Sequence, residues 1–443
     1  MSKNYNFSFN IFWNIFTKII ILFIKTGSSI ITARLLGPYE RGIYYAIIQS
    51  VGFINTIITL SIGEGIIYNL SNRKNYISIF GNIIIFIVFF TSISFSLLFI
   101  YEDSLRSYIL KDIPSNLFYF VFLLSPFLMF EYFCSFTLRG MKLFTLSNKL
   151  SILSKSTLLV FLCVGFYFFG ADIEICLTFL SLSYFIICLI YGFLILKISN
   201  FNLIFNFKKI LNIIFFSSKI HLNNLLNEIE YRFDIFIILF FVDYTALGIY
   251  SVGVALAQLV WYVSNSINSV LYPYLVANDK NNNEFSFTDN VIKYNFVINI
   301  YLLVTICLLG HFIVQILYGF DYLNSFYIFL ILAPGLLFDS ITRNIFVWIK
   351  SKKNPFLLSK ISFVTLLINL ALNFILIPIY GIYGAAISSS ISYIFRSFIA
   401  MIIYKKNRKD LFKKISILNI MSSFRFISVD IVRRVLKIAY KKI

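Results

Sequence analysis

Histidine is nearly missing: two in 443 residues leave almost nothing for imidazole catalysis or a histidine-rich metal site. The five cysteines (Cys134, Cys163, Cys176, Cys188 and Cys307) all lie in apolar runs. They show no Cys-x-x-Cys and no Cys/His spacing, so they read as small core residues. Charge is scarce at 13%, against 59% hydrophobic residues. A soluble domain of this length does not look like that, and the chain reads as a polytopic membrane protein. Also missing are a Walker loop, a Gly-x-Ser-x-Gly elbow and a His-Glu-x-x-His pair. The longest outer loop, about 101–114, is too short for a catalytic domain. No enzyme, no metal and no cofactor is therefore expected. A cleavable leader is not expected either, because Lys18 interrupts the first apolar stretch and no small-residue cleavage site follows.

What is present is apolar sequence in long runs. Twelve are long enough to cross about 30 Å of hydrocarbon. They fall near 8–33, 42–70, 78–100, 115–138, 147–169, 174–197, 210–241, 245–275, 290–316, 323–349, 356–377 and 381–404. The loops between them alternate in charge. One set carries Arg73, Lys74, Arg139, Lys142, Lys149, Lys197, Lys208, Lys209, Lys350, Lys352 and Lys353. The other carries Glu102, Asp103, Asp112, Asp172, Glu174, Asp243 and Asp321. Basic loops stay cytoplasmic, which places both termini in the cytoplasm. Loop 278–289 runs against this pattern, with Asp279, Glu284 and Asp289 against Lys280.

The first span is the unusual one. Lys18 and Lys25 are seven residues apart, which puts them within about 20° of each other on a helix. Asn14 and Thr32 fall close to the same line, and the other faces are Ile, Phe, Leu and Trp. An ammonium at mid-bilayer costs about 2.5–3.5 kcal/mol on insertion scales. The stripe therefore reads as the wall of a wet, anion-preferring cavity; the alternative is that both lysines snorkel to the interfaces.

An internal repeat divides the chain. Leu124-Ser125-Pro126 with Phe130-Glu131 matches Leu332-Ala333-Pro334 with Phe338-Asp339 at an offset of 208. Gly42-Ile43-Tyr44 matches Gly248-Ile249-Tyr250 at 206, while Gln49/Gln258 and Ser183-Tyr184/Ser392-Tyr393 match at 209. The expected fold is all-α, with two six-helix lobes related by a pseudo-two-fold along the membrane normal. The expected boundaries are 1–200, 201–405 and a basic amphipathic tail, 406–443. The repeat sets span 7 opposite span 1, and span 7 carries His221, Asn224, Glu228 and Arg232 on one face. Gln49, Thr56 and Thr59 on span 2, with Gln258, Asn265 and Ser269 on span 8, complete a polar interior between the lobes.

Lys18, Lys25 and Arg232, with Arg34 at the outer mouth, form the proposed anion-binding set. Asn14, Gln49, His221, Asn224, Glu228, Gln258 and Asn265 are its polar surroundings. Glu64, Glu131, Asp234 and Asp339 are candidate ion carriers. Glu228 with Arg232 and Asp339 with Arg343 are spaced for local pairs. Glu64, between Gly63 and Gly65, fits a broken helix end. Lys155, Lys360 and Arg396 read as snorkelling, and Pro126, Pro273 and Pro334 as kinks, static or hinged. Residues 405–443 hold twelve Lys/Arg against two acids, and Ile431, Val435 and Ile438 share one side of a helix from Ile427. Such a tail suits anionic lipid better than nucleic acid; a solvated helix touching nothing is the alternative.

The stretch Ala33-Arg34-Leu35-Leu36-Gly37-Pro38-Tyr39-Glu40-Arg41-Gly42-Ile43-Tyr44 resembles the span 1–2 junction of bacterial polysaccharide repeat-unit flippases. These are the Wzx-type O-antigen and capsule transporters of the multidrug/oligosaccharidyl-lipid/polysaccharide exporter superfamily. Leu247-Gly248-Ile249-Tyr250-Ser251, Ala333-Pro334-Gly335 and Tyr380-Gly381-Ile382-Tyr383-Gly384-Ala385-Ala386 resemble matching points in its second half. The resemblance implies a flippase for an undecaprenyl-pyrophosphate-linked oligosaccharide in the bacterial inner membrane, working by alternating access. Membrane lipid and a polysaccharide polymerase with its chain-length machinery are the other partners it suggests, for a monomer that binds no nucleic acid. A drug or small-metabolite antiporter of the same architecture is the alternative; it needs an acid-lined cavity. A membrane glycosyltransferase, polymerase or ligase needs a large outer loop.

Overall fold

The computed structural model describes residues 7–71, 77–110, 113–198, 207–277, 284–352 and 355–407. The tail from 408 onward, with its expected amphipathic helix, lies outside the described residues, as do Arg73, Lys74 and Asp112. The described residues are helical apart from short connections, and no strand occurs among them.

The helices are α1 (Phe7–Thr59), α2 (Ile62–Ser71), α3 (Ile77–Ile100), the single turn α4 (Glu102–Ser104), α5 (Ser115–Gly140), α6 (Phe144–Phe169) and α7 (Ile173–Ile198). The second half continues with α8 (Phe207–Phe241), α9 (Tyr244–Ala277), α10 (Glu284–Leu317), α11 (Asn324–Ser351), α12 (Pro355–Tyr380) and α13 (Ile382–Asn407). Nine segments among the described residues are long and apolar enough to cross a membrane. The first of them, Phe16–Thr59, is 44 residues long and covers most of the first two expected spans, the end of the second being α2. The remaining expected spans are α3, whose apolar stretch is Ile85–Leu97, and the polar α8.

Local sequence explains the breaks. At Gly37 the backbone turns to φ 72°, ψ 174°, a region open to glycine, and Pro38 then opens the next helical segment. Leu60 and Ser61 both have positive φ, which ends α1 and starts α2 with Glu64 in its first turn. The broken helix end expected around Glu64 is therefore present. Pro126 and Pro334 lie inside α5 and α11.

Burial shows how the halves meet. One large apolar cluster joins them: Ala33 and Ile47 of α1, Phe118 of α5, Ile238 of α8, Leu247 of α9 and Phe329 of α11 all belong to it. These residues lie toward the end marked by Gly37, Gly170 and Gly319. At the opposite end the clusters separate. One gathers Ile66, Phe133, Leu138 and Tyr191 of the first half, with Ile210 and Ile213 of α8. The other gathers Leu275, Ile349, Trp348 and Tyr404 of the second half. The halves thus share one large core at one end; at the other their clusters are distinct but joined where α8 packs on α2, a Cβ on Gly65 lying 2.7 Å from the Ile213 carbonyl oxygen.

The shared end has an intimate contact at its centre. A Cβ added to Gly42 would sit 1.8 Å from the Tyr244 carbonyl oxygen; one added to Gly248 would sit 1.9 Å from the Pro38 carbonyl oxygen. Gly42 and Gly248 are repeat mates, and so are Pro38 and Tyr244. The contact is reciprocal.

Candidate functional site

Three voids follow one another between the halves. The first is a groove of about 510 Å³ between α1, α9 and α10, apolar apart from Lys18, Tyr262 and Ser266. Leu22, Leu259 and Tyr262 also wall the second, a chamber of about 260 Å³. Lys25, Arg41 and Lys155 line that chamber, and among the described residues no carboxylate does. Tyr45, Gln49 and Gln258 continue into the third, of about 230 Å³. Its charged lining is Arg232, Arg343, Glu228 and Asp234, with Tyr231, Tyr250, Trp261 and Tyr393 beside them. A groove of about 790 Å³ on α3 to α5 is lined, among the described residues, by one half alone and by no cation.

The cations are held in different ways. Lys25 has an exposed side chain that faces the second chamber. Arg41 is buried; it donates to Thr32 Oγ1, to Ser29 Oγ at 3.1 Å and to Ser251 Oγ at 3.3 Å across the halves. Its guanidinium carbon lies 5.3 Å from the Tyr44 ring centroid. Arg232 bonds Glu228 and reaches Gln49 twice, at 3.1 Å to its carbonyl and 2.7 Å to Oε1. Gly52 leaves it room, since a Cβ there would lie 2.3 Å from its Nη1. Lys18 sits in the groove with its Nζ 3.5 Å from the Asn265 carbonyl oxygen.

Several expectations need correction. Arg34 does not line the chambers: it donates to the Ile316 carbonyl and, at 2.8 Å, to the Leu317 carbonyl, both at the C-terminal end of α10. Helix C-termini expose carbonyls with partial negative charge, and a guanidinium satisfies them. Of the two junction arginines it is Arg41 that faces inward, because the chain reverses at Gly37 between them. Arg232, by contrast, forms the expected local pair with Glu228. His221 and Asn224 do not line the chambers; His221 Nδ1 lies 3.2 Å from Ser61 Oγ and Asn224 donates to it at 3.1 Å. They brace the break between α1 and α2. The Asn14 side chain lies outside the described residues.

Lys155 and Arg396 do not snorkel. Lys155 Nζ is 3.8 Å from Glu131 and donates to the Tyr184 hydroxyl at 3.4 Å. Arg396, only 2% exposed, bonds Glu230 and Asp339 at 2.7 Å each. Asp339 also takes Arg343 at 2.7 Å, forming the expected local pair. Glu230 completes this network; with apolar Ile229 before it and no cation one turn away, nothing in the local sequence marks it. Asn265 accepts from Arg343 at 3.3 Å. Of the candidate ion carriers, Glu131 and Asp339 face cations, and Asp234 accepts from Tyr250 and from the Ile235 amide. Lys360 is exposed and lies over the Phe356 ring.

A bundle of membrane-length helices whose halves enclose cation-lined chambers defines a multi-pass membrane protein of transporter architecture. The family model described as polysaccharide biosynthesis protein matches residues 8–279. The chain belongs to that family. It is 24% identical, over 90% of its length and 97% of the relative's, to a Shigella flexneri protein provisionally named an O-antigen transporter. Among solved structures it resembles the lipid II flippase MurJ in an inward closed conformation. The TM-score is 0.71 at 17% identity, covering 90% of this chain and 87% of that one. It also resembles an inward-facing multidrug MATE transporter of the MOP superfamily (TM-score 0.67, 12% identity, 91% of this chain, 100% of that one). A Pyrococcus furiosus MOP transporter, titled for the reversed polarity of its binding pocket, matches at 0.61 and 12%, over 90% and 95%. These likenesses show the fold.

Proposed function

We propose that this protein carries a polyprenyl-pyrophosphate-linked oligosaccharide across the bacterial inner membrane, from the cytoplasmic to the outer leaflet. The observation that carries the reading is the second chamber, where Lys25, Arg41 and Lys155 stand together with no acid on the wall among the described residues. A pyrophosphate brings about two negative charges that lipid excludes, and charge-assisted hydrogen bonds from such a wall replace its water. The third chamber, whose two acids balance its two arginines, offers amide, hydroxyl and aromatic groups suited to sugars. The apolar groove at Lys18 leaves the polyprenyl chain a path to lipid.

In this reading the halves are the two lobes, 1–200 and 201–405, and both termini are cytoplasmic. The shared core at the Gly37 end closes the outer side; at the other end the packing of α8 on α2 has to loosen for the cytoplasmic side to part. Rocking about the Gly42/Gly248 contact would alternate access. The acid-poor wall disfavours the reading as an exporter of cationic drugs.

Deletion of the gene tests this. Surface polysaccharide should vanish while lipid-linked repeat units accumulate at the inner leaflet, and a plasmid copy should restore export. Normal surface polymer in the deletion strain would defeat the reading.

A further inference from the structure

Each half carries one acid five residues beyond an intrahelical proline: Glu131 after Pro126, and Asp339 after Pro334. Each acid faces a cation that rests on a tyrosine. Arg396 lies 5.1 Å from the Tyr393 ring centroid, and Lys155 lies 5.1 Å from that of Tyr184. Tyr184 and Tyr393 are repeat mates, so the arrangement occurs twice in the fold. The cations come from different helices, Lys155 from α6 and Arg396 from α13, and the two copies also differ in how the acid is held. In the second half the acid is locked, with Asp339 bonded at 2.7 Å to both Arg343 and Arg396 and 1% exposed. In the first half Lys155 stands 3.8 Å from Glu131, beyond hydrogen-bond reach, and the side chains are 20% and 15% exposed. Lys155 also lines the second chamber beside Lys25 and Arg41.

We propose that Lys155 is a ligand of the substrate's diphosphate, held in reserve by Glu131. An entering phosphate oxygen offers the ammonium a closer partner than the carboxylate does. Lys155 then trades one anion for the other and trades back when the headgroup leaves. Glu131 is a positioning residue: its charge competes with phosphate and so sets how readily the diphosphate is released. The locked copy around Asp339 holds its own half together and takes no part in the exchange. This inference rests on the flippase reading and adds to its anion site the acid behind the wall, Glu131, as the group that sets release.

The test is binding of undecaprenyl pyrophosphate to the full chain in lipid nanodiscs, with inorganic pyrophosphate titrated in parallel. Lys155→Ala should weaken lipid pyrophosphate binding about tenfold, the loss of one charge-assisted hydrogen bond. Lys155→Arg should recover most of it. Glu131→Gln should tighten binding several-fold, a gain that structural damage would not produce. Lys155→Ala with Glu131→Gln should bind like Lys155→Ala alone. Weaker or unchanged binding in Glu131→Gln overturns the inference, and that arm decides the matter even where Lys155→Ala fails to fold. Inorganic pyrophosphate should bind more weakly than the lipid; equal affinity would assign the chamber to a free anion and overturn the inference. If the wild type binds and Lys25→Ala does not, while both Lys155→Ala and Glu131→Gln behave as wild type, the flippase reading survives without it. If the wild type binds neither probe, both fall.

Discussion

Replacing Gly42 by alanine puts one methyl group where the two halves meet backbone to backbone. The new Cβ would lie 1.8 Å from the Tyr244 carbonyl oxygen, while ordinary contact begins near 3.4 Å, so the backbones must part by about 1.6 Å. Neither neighbour is a side chain that can swing aside. Forcing an extra carbon into a packed site costs about 1–3 kcal/mol. If the contact exists only when the outer end is closed, that cost falls on the closed state alone. The equilibrium then moves toward outer opening by about 5- to 150-fold. Gly248→Ala should act alike, since its Cβ would meet the Pro38 carbonyl oxygen at 1.9 Å. The double variant should add little, because the first methyl already separates the pair. The assay is a spin-label distance between Asp172 and Phe320, one in each half at that end, in a variant with its native cysteines replaced. A longer distance is expected in either single variant. A folded Gly42→Ala protein with the wild-type distance distribution would refute the idea that this contact closes the outer side.

Three further outcomes follow from the same geometry. Lys25→Ala should abolish most export at normal membrane level, and Lys25→Arg should keep much of it; complementation of the deletion strain measures both. Arg34→Ala removes the two bonds to the end of α10 and should shift the same spin-label distance in the direction of Gly42→Ala, more weakly because the site is exposed. Arg396→Met leaves Glu230 and one side of Asp339 unpaired. Breaking a buried ion network from one side costs about 3–5 kcal/mol, so the variant should lose thermal stability in detergent and membrane level in cells.

The repeat was the most informative thing in the chain. Each of its four matched positions has a structural meaning: Gly42 and Gly248 touch, Gln49 and Gln258 wall the same chambers, Glu131 and Asp339 face cations, and Tyr184 and Tyr393 carry them. Lys25 was legible because a cation amid apolar helix faces is costly and needs a wet neighbour. The ambiguous residues were those whose partners are distant in sequence. Arg396 looks like a helix-end snorkel until Glu230, 166 residues earlier, comes against it. Arg34 and Arg41 look alike on a helical wheel. Only the reversal at Gly37 sends one to the rim of α10 and the other to the chamber. Helical spacing correctly gave Glu228 with Arg232 and Asp339 with Arg343, because i,i+4 geometry needs no tertiary knowledge.

The central claim is that a cation-lined interior moves a pyrophosphate-linked sugar between leaflets. Purified protein in liposomes loaded with a fluorescent undecaprenyl-pyrophosphate oligosaccharide measures this directly, with accessibility to an external glycosidase as the readout. The wild type should expose the inner-leaflet pool much faster than protein-free liposomes, and Lys25→Ala should not. Equal rates for the wild type and empty liposomes, across imposed ion gradients, would contradict it.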